Sequence, residues 1–265
     1  MQDLKIAYIQ TNLIWEDAQA NRSAFSTKIT ELSEKTDLIV LPETFTTGFP
    51  VDPNQFAETS EGETIVWMKE TAASTGSVIC GSFLMKKHEK FYNTFVWMRP
   101  DGSFETYDKR HVFRMGGEHK HIEPGKKNIR IELKGWKIRP LICYDLRFPV
   151  WSRNSYKNGE FDYDLLIVVA NWPAVRAYPW TQLLIARAIE NQCFVLGVNR
   201  IGTDLNGIAY SGNSGLIDPK GKFVSSAEPS CEQTLIATLC ANEILQFRKD
   251  FKVGLDWDDF LLTSE

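Results

Sequence analysis

Three residues along the chain have side chains that could together carry out acyl chemistry. Cys143 directly follows the predicted strand 137–142 and precedes a turn, so its thiol would project above the edge of a sheet. Backbone N–H groups at the start of a following helix would favour its thiolate form. Glu43 follows the apolar run 38–41, where burial would raise the pKa of its carboxyl and make it a base near neutral pH. Lys109 follows a predicted hairpin strand and supplies a cation.

Each of these residues also has an interpretation without chemistry. Cysteine behaves as a small buried hydrophobe in many protein cores. A carboxylate after a strand can belong to a helix start or a loop, and a lysine beyond a hairpin usually carries its charge into solvent. Residue types and positions alone therefore leave both interpretations open.

Hydrophobic periodicity indicates which elements position these residues. Short apolar runs predict strands, and apolar residues at helical spacing predict helices. The segment 108–125 is charged, contains Gly and His and lacks periodicity, which is typical of a functional loop. The predicted strands are 5–10, 38–41, 78–84, 91–98, 104–107, 129–133, 137–142, 165–170, 193–199, 214–217, 222–225 and 234–239. The predicted helices are 16–35, 64–74, a short helix after Pro149, 178–191 and 242–250.

The order of these elements predicts the fold class. Continuous apolar strands that alternate with helices indicate sheets covered by helices, whereas the hairpins argue against an all-parallel sheet. We therefore expect an α/β sandwich with mixed sheets. No internal repeat, low-complexity stretch or polar linker divides the chain, which favours a single domain over residues 1–265.

Composition excludes several classes of partner. Thirty basic and 34 acidic side chains give a net charge of −4, so there is no basic field to attract nucleic acid or anionic lipid. No apolar run is long enough to cross a bilayer, and no signal peptide is evident, so we expect no membrane association. Five cysteines without close-pair spacing indicate a reducing cytoplasm.

Longer motifs around the three residues resemble the nitrilase superfamily of carbon-nitrogen hydrolases. The strings Leu-Pro-Glu-Thr-Phe at 41–45, Tyr-Asp-Lys-Arg-His at 107–111 and Leu-Ile-Cys-Tyr-Asp-Leu-Arg-Phe-Pro at 141–149 occur in the order and spacing of that family. The resemblance implies that Glu43 is the general base, Lys109 the oxyanion-stabilising lysine and Cys143 the nucleophile. It implies that the Tyr144 N–H supports the oxyanion, and that Glu118 is a second glutamate that positions the substrate.

The same resemblance implies an architecture and a reaction. The fold would be a four-layer αββα sandwich that often dimerises through the helices covering its sheets, so we expect a homodimer. The reaction would hydrolyse a small-molecule amide through a thioester, with no metal and no organic cofactor. Glu123 lies near Glu118 in the sequence and is an alternative to it as the second glutamate.

Two later strings, 169–176 and 198–207, resemble the bacterial omega-amidase branch of this superfamily. That branch hydrolyses 2-oxoglutaramate and 2-oxosuccinamate to the dicarboxylic acid and ammonia. A substrate with a distal carboxylate needs a cation opposite the nucleophile, preferably a bidentate arginine. Arg176 is the first candidate for this cation, and Arg114 and Arg200 are the alternatives.

Neighbouring residues suggest the walls of the pocket. Phe45, Phe113 and Trp172 lie beside the motifs and could enclose a small substrate, although aromatic residues more often belong to a core. Arg147 is expected to form an ion pair with Asp145 that stabilises the turn after the cysteine.

Other functions remain as alternatives at this stage. The chain could be a deaminated glutathione amidase, an N-carbamoyl hydrolase, a nitrile hydrolase or a binding module on the same fold. An intact set of glutamate, lysine and cysteine argues against the binding module. His111, His119 and His121 lack the spacing of known zinc motifs, so we expect no metal.

Overall fold

A computed structural model describes residues 1–50 and 52–262 of the chain, which form two six-stranded mixed sheets with helices against them. The helices are α1 (Ala18–Thr30), α2 (Glu63–Thr75), α3 (Pro149–Ser152), α4 (Ala177–Asn191) and α5 (Ala241–Asp250). The strands are β1 (Leu4–Gln10), β2 (Leu38–Val40), β3 (Val78–Lys87), β4 (Lys90–Met98), β5 (Phe104–Asp108), β6 (Ile131–Leu133), β7 (Trp136–Ile142), β8 (Tyr156–Lys157), β9 (Glu160–Phe161), β10 (Leu165–Ala170), β11 (Phe194–Asn199), β12 (Ile201–Thr203), β13 (Ala209–Ser211), β14 (Gly215–Ile217), β15 (Phe223–Ser226) and β16 (Gln233–Leu239).

Each sheet combines a parallel centre with antiparallel edges. The first sheet has the order β16-β1-β2-β3-β4-β5, in which β1, β2 and β3 are parallel. The second has the order β15-β14-β11-β10-β7-β6, in which β7, β10 and β11 are parallel. Two short ribbons, β8-β9 and β12-β13, lie outside these sheets. Parallel neighbours bring the carboxyl ends of several strands to one edge, where ligands bind in sheets of this kind.

Alternation along β1 shows how the layers pack. Ile6 and Tyr8 belong to the apolar cluster that joins the two sheets, whereas Ala7 and Ile9 belong to the cluster formed with α1 and α2. Helix α4 covers the second sheet, because its Trp180 belongs to the apolar cluster that also contains residues of that sheet's strands. Because successive side chains of a strand point to opposite faces, each sheet is buried on both faces. The predicted αββα sandwich with mixed sheets is confirmed.

Several element boundaries differ from the sequence prediction. Helix α1 begins after Asp17, which caps it by accepting a hydrogen bond from the Ala20 N–H at 2.9 Å, and it ends at Thr30, well before the end of the predicted 16–35. The helix expected after Pro149 is the four-residue α3. The ribbons β8-β9 and β12-β13 have strands of only two or three residues, too short for a periodic pattern to indicate. Within residues 1–50 and 52–262, no helix is long and apolar enough to cross a membrane.

Candidate active site

Glu43 stands just beyond β2, where Pro42 ends the strand, and its side chain is completely buried. One carboxylate oxygen, Oε1, accepts hydrogen bonds from Asn93 Nδ2 at 2.8 Å and Lys109 Nζ at 2.9 Å. The other, Oε2, accepts one from the backbone N–H of Asn171 at 2.6 Å. A buried carboxylate is tolerated only when its oxygens are paired in this way. The contacts come from both sheets and fix the orientation of the carboxylate.

Lys109 follows β5 and is buried between two carboxylates. Its Nζ donates to Glu43 Oε1 and lies 3.0 and 3.1 Å from the two oxygens of Glu118. Glu118 comes from the loop 109–125, and its Oε2 also accepts a hydrogen bond from the Phe113 N–H at 2.5 Å. Glu123 lies elsewhere and pairs with Lys90. The structure thus places Glu118, rather than Glu123, beside the lysine.

Cys143 occupies a backbone corner at the end of β7. Its φ of 45° lies in the left-handed region, which is costly for a residue with a Cβ and is typical of strained functional positions. Asp145 stabilises this corner from below by accepting hydrogen bonds from the Ile142 N–H at 3.1 Å, the Tyr107 hydroxyl at 2.7 Å and the His111 N–H at 2.9 Å. The sharp turn places the thiol near the Glu43 carboxylate, with Sγ 3.9 Å from the carbonyl oxygen of Asn171.

The protonation state of Cys143 differs from the sequence-based expectation. Burial raises the pKa of the thiol well above its ordinary value, and the nearby Glu43 carboxylate raises it further, although Lys109 opposes both effects. The backbone dipoles of the single helical turn that begins at Cys143 do not outweigh the loss of solvation. Cys143 is therefore a thiol at rest, and it becomes a nucleophile only when Glu43 removes its proton.

Lys109 and Glu118, the two titratable groups that share the site with Glu43, shift each other's pKa. Burial alone would lower the pKa of Lys109, but the carboxylates of Glu118 and Glu43 more than offset this and raise it above the ordinary value. The pKa of Glu118 lies above its ordinary value. Burial is the largest cause of this increase, Lys109 opposes it, and the Glu43 carboxylate adds to it. Lys109 thus remains an ammonium throughout the neutral pH range. It holds a positive charge beside the sulfur, where an oxyanion would develop.

A cavity of about 260 Å³ opens above the thiol. Its floor consists of Lys109, Cys143 and Asn171, and its walls are aromatic and cationic. The lining residues are Phe49, Lys109, Phe113, Gly116, Cys143, Tyr144, Arg147, Asn171, Trp172, Pro173, Arg176, Asp204, Asn206, Ile208 and Tyr210. An apolar cavity with a few convergent polar groups is the usual form of a small-molecule site.

Arg176 reaches this cavity and lies over the Phe113 ring, 5.6 Å from its centroid. Arg147 reaches it as well, over the Trp172 ring at 4.7 Å. The expected ion pair of Arg147 with Asp145 is wrong, because the Asp145 oxygens are already used by the corner that holds Cys143. Within residues 1–50 and 52–262, neither guanidinium is paired with a carboxylate. Both are available to an anionic ligand.

The other two arginine candidates do not line the cavity. Arg114 is exposed on the loop. Arg200 is completely buried behind Tyr210, and it donates to Asn12 Oδ1 and to the carbonyl oxygens of Leu13 and Ile201. The structure therefore favours Arg176 over both alternatives and adds Arg147.

The three aromatic candidates divide in the same manner. Phe113 and Trp172 line the cavity. Phe45 does not, and its assignment to the pocket wall is wrong. It is fully buried in the core between the first sheet and its helices, against Phe25 and Phe83. Phe45 follows Glu43 by only two residues, but the tight turn between them points the two side chains in different directions.

Sequence reasoning missed several residues that shape the site. Asn93 and Asn171 hold the Glu43 carboxylate, and Asp204, Asn206 and Tyr210 form one wall of the cavity. The string 169–176 contains Asn171, so the resemblance could have identified it. Asp204 and Asn206 lie in the string 198–207, so the resemblance could have identified them as well. Asn93 lies within β4 and Tyr210 on the short strand β13, where no pattern indicates a role. Among the described residues, no three His, Cys, Asp or Glu side chains are grouped as metal ligands.

This site and fold define a hydrolase of carbon–nitrogen bonds, and comparison with known proteins agrees. A sequence model described as carbon-nitrogen hydrolase matches residues 5–249, so the chain belongs to the carbon-nitrogen hydrolase family. The predicted membership of the nitrilase superfamily is confirmed, and the protein is an amide-hydrolysing enzyme of that family.

Particular relatives narrow the comparison further. The chain is 45% identical to omega-amidase YafV of Yersinia enterocolitica, over 99% of this chain and 100% of that protein. It is 35% identical to the 2-oxoglutaramate amidase of Bacillus subtilis, over 83% of this chain and 85% of that protein. A CN-hydrolase superfamily protein from Xanthomonas campestris, solved with an arsenic adduct in its active site, superposes with a TM-score of 0.97. The two chains are 41% identical, with coverage of 99% of this chain and 100% of the other.

Proposed function

We propose that the protein is an omega-amidase, which hydrolyses the terminal carboxamide of a small 2-oxo acid such as 2-oxoglutaramate or 2-oxosuccinamate. One observation carries the proposal: the cavity above Cys143 contains two arginines, Arg147 and Arg176, that have no carboxylate partner among the described residues. The similarity to proteins named omega-amidase and 2-oxoglutaramate amidase supports the same substrate.

Acylation begins with proton transfer from the Cys143 thiol to Glu43. The resulting thiolate attacks the amide carbon, and the carbonyl oxygen becomes an oxyanion. The Lys109 ammonium and the Tyr144 N–H stabilise this charge, since the first amides of a helical turn lack intrahelical acceptors. Glu43 then gives its proton to the amide nitrogen, the carbon–nitrogen bond breaks, and ammonia leaves a thioester on Cys143.

Deacylation uses the same groups in reverse. Glu43 removes a proton from a water molecule, and the hydroxide that forms attacks the thioester carbon. The second oxyanion is held as the first was. Its collapse breaks the carbon–sulfur bond, and the released thiolate recovers the proton from Glu43. Glu118 positions the Lys109 ammonium throughout, because both of its oxygens lie within hydrogen-bonding distance of Nζ.

Recognition of the acid end falls to the two arginines. A carboxylate whose carbon is three or four bonds from the amide carbon would meet a guanidinium, which can bind it through two parallel hydrogen bonds. Phe113 and Trp172 stack against these guanidiniums and limit their movement. The cavity volume of about 260 Å³ is below the range of drug-sized sites, which favours a small substrate over deaminated glutathione.

Hydrolysis of a panel of substrates tests the proposal. It is measured as ammonia release for all of them except deaminated glutathione, whose secondary amide releases cysteinylglycine. We expect 2-oxoglutaramate and 2-oxosuccinamate to be hydrolysed with the highest kcat/KM, and glutamine, deaminated glutathione, an N-carbamoyl amino acid and a simple nitrile to be poor substrates. A higher kcat/KM for any of these four would contradict the proposed substrate class while leaving the amidase chemistry intact.

We also propose that residues 1–265 act as one domain, in the cytoplasm and as a homodimer. Exposed apolar side chains on the helices of the second sheet, such as Ile189 and Leu245, support association through those helices. All five cysteines are free thiols, which suits a reducing compartment. Light scattering after size exclusion would test the dimer, and a monomeric mass at micromolar concentration would contradict it.

A further inference from the structure

We infer that Tyr210 is a specificity-determining residue, which covers the Asp204 carboxylate and thereby prevents the site from accepting a 2-amino acid amide such as glutamine. This inference rests on the proposed function, because it concerns how the same cavity distinguishes a 2-oxo acid from its 2-amino counterpart. Asp204 is the only acidic residue that lines the walls of the cavity among the described residues.

The Asp204 carboxylate is held on both oxygens. Its Oδ1 accepts hydrogen bonds from the backbone N–H groups of Asn206 and Ile208, each at 2.9 Å. Its Oδ2 accepts one from the Tyr210 hydroxyl at 3.0 Å. Asp204 and Tyr210 are both nearly inaccessible to solvent. Among the described residues, the Tyr210 hydroxyl is therefore the one side-chain donor to the Asp204 carboxylate at the cavity wall.

A buried cation fixes the position of the Tyr210 ring. The Arg200 guanidinium lies over the ring, 4.7 Å from its centroid, and the residue is completely buried. Among the described residues, Arg200 has no direct carboxylate contact. Burial lowers the pKa of its guanidinium, and the nearby Tyr210 and Asp204 oppose this. This arrangement keeps Tyr210 from rotating away from Asp204.

The chemistry of the two substrates explains what this covering achieves. 2-Oxoglutaramate and glutamine share the reacting amide and the distal carboxylate, and they differ only at C2, which carries an oxo group or an ammonium. The ammonium is repelled by Arg147 and Arg176 and would need a nearby anion to offset that repulsion. Asp204 is such an anion, but its Oδ2 is occupied by the Tyr210 hydroxyl. The carboxylate that could compensate a 2-amino group is thus already engaged by Tyr210 and the two backbone N–H groups, which weakens it as a partner.

The experiment compares kcat/KM for glutamine and 2-oxoglutaramate in four proteins: wild type, Tyr210→Phe, Asp204→Asn and the double variant. Phenylalanine keeps the ring over Arg200 but releases Oδ2. We expect Tyr210→Phe to raise the ratio of glutamine to 2-oxoglutaramate by at least about tenfold. The double variant should return the ratio to within about threefold of wild type, because the uncovered charge is then absent. Asp204→Asn alone should not raise the ratio.

Matched measurements separate this role from a structural one. Tyr178→Phe removes a hydroxyl from an exposed residue outside the cavity and should leave the ratio unchanged. The thermal midpoint and the alkylation of Cys143 by iodoacetamide report whether Tyr210→Phe keeps its fold. An unchanged ratio, or equal losses on both substrates with normal alkylation, overturns the inference. A wild-type enzyme inactive on 2-oxoglutaramate refutes the proposed function, and the inference falls with it.

Discussion

The floor and the walls of the cavity are built in different ways. The floor and the group beneath it include Lys109, Cys143 and Glu43, which lie just beyond strand ends, are buried or half-buried and are held by contacts from both sheets. On the walls, Arg147 and Arg176 lie on short helical turns, and Tyr210 lies on the β12-β13 ribbon. Aromatic rings rather than carboxylates contact the two arginines. Bond-breaking groups are thus fixed by contacts from both sheets. Arg147 shares the helical turn of Cys143, whereas Arg176 and Tyr210 lie on segments that can change without altering the reacting groups.

The largest effect should come from the floor. Cys143→Ala should lower amidase turnover by at least about 10⁴-fold, because the nucleophile is lost and no neighbouring group can replace it. The fold should survive, since the substitution leaves no buried charge without a partner and creates only a small cavity. Ammonia release and a thermal melt measure the two outcomes. More than a tenth of wild-type turnover in a folded variant would remove Cys143 from the reaction.

Loss of the buried cation should be nearly as damaging. Lys109→Met should lower kcat by at least about 100-fold, because the oxyanion loses its ammonium donor. It should also lower the thermal midpoint, since Glu43 and Glu118 then share a buried site without a counter-charge. A variant with wild-type kcat would show that Lys109 serves the fold alone.

The contrast between floor and walls also explains what the sequence could predict. The floor residues lie in strings next to long apolar strands, so both the strand ends and the motif could be recognised. Phe45 and Arg147 were misassigned, because a turn of one or two residues decides whether a side chain enters the core or the cavity. Tyr210 lies outside the motif strings on the three-residue strand β13, and Asp204 lies in the string 198–207, but no spacing shows that it enters the cavity through a turn. Their positions depend on tertiary contacts such as the Arg200 stack.

An intermediate effect should come from the cationic wall. Arg176→Ala and Arg147→Ala should each weaken kcat/KM for 2-oxoglutaramate by about 2–3 kcal/mol, because each removes a charged partner of the distal carboxylate. An uncharged amide of similar length should be affected much less. That contrast matters more than the absolute loss, since a general disturbance of the cavity would depress both substrates. Equal losses on the two substrates would exclude the mutated arginine from carboxylate binding.

A smaller, pH-dependent effect links the floor residues to each other. Burial and the Glu43 carboxylate both raise the pKa of Cys143, so alkylation by iodoacetamide should still be increasing with pH at the ordinary thiol value of 9.0. Glu43→Gln removes the negative charge, which should lower the pKa of Cys143 and move the alkylation profile to lower pH. Mass spectrometry must follow Cys143 itself, because Cys231 is exposed and competes for the reagent. An upward shift would contradict the assigned charge on Glu43.

The smallest expected effect is the sharpest test of how the walls were assigned. The sequence makes Arg176 the first candidate for the carboxylate-binding cation and Arg114 an alternative, and both lie near the motifs. Only Arg176 reaches the cavity, whereas Arg114 points its charge into solvent from an exposed turn. Arg114→Ala should therefore change kcat/KM for 2-oxoglutaramate by less than about twofold, as is usual for an exposed charge outside a site. Both variants are measured on the same substrate. A loss of kcat/KM for Arg114→Ala as large as the loss for Arg176→Ala would mean that the loop closes over bound substrate and carries Arg114 into the wall.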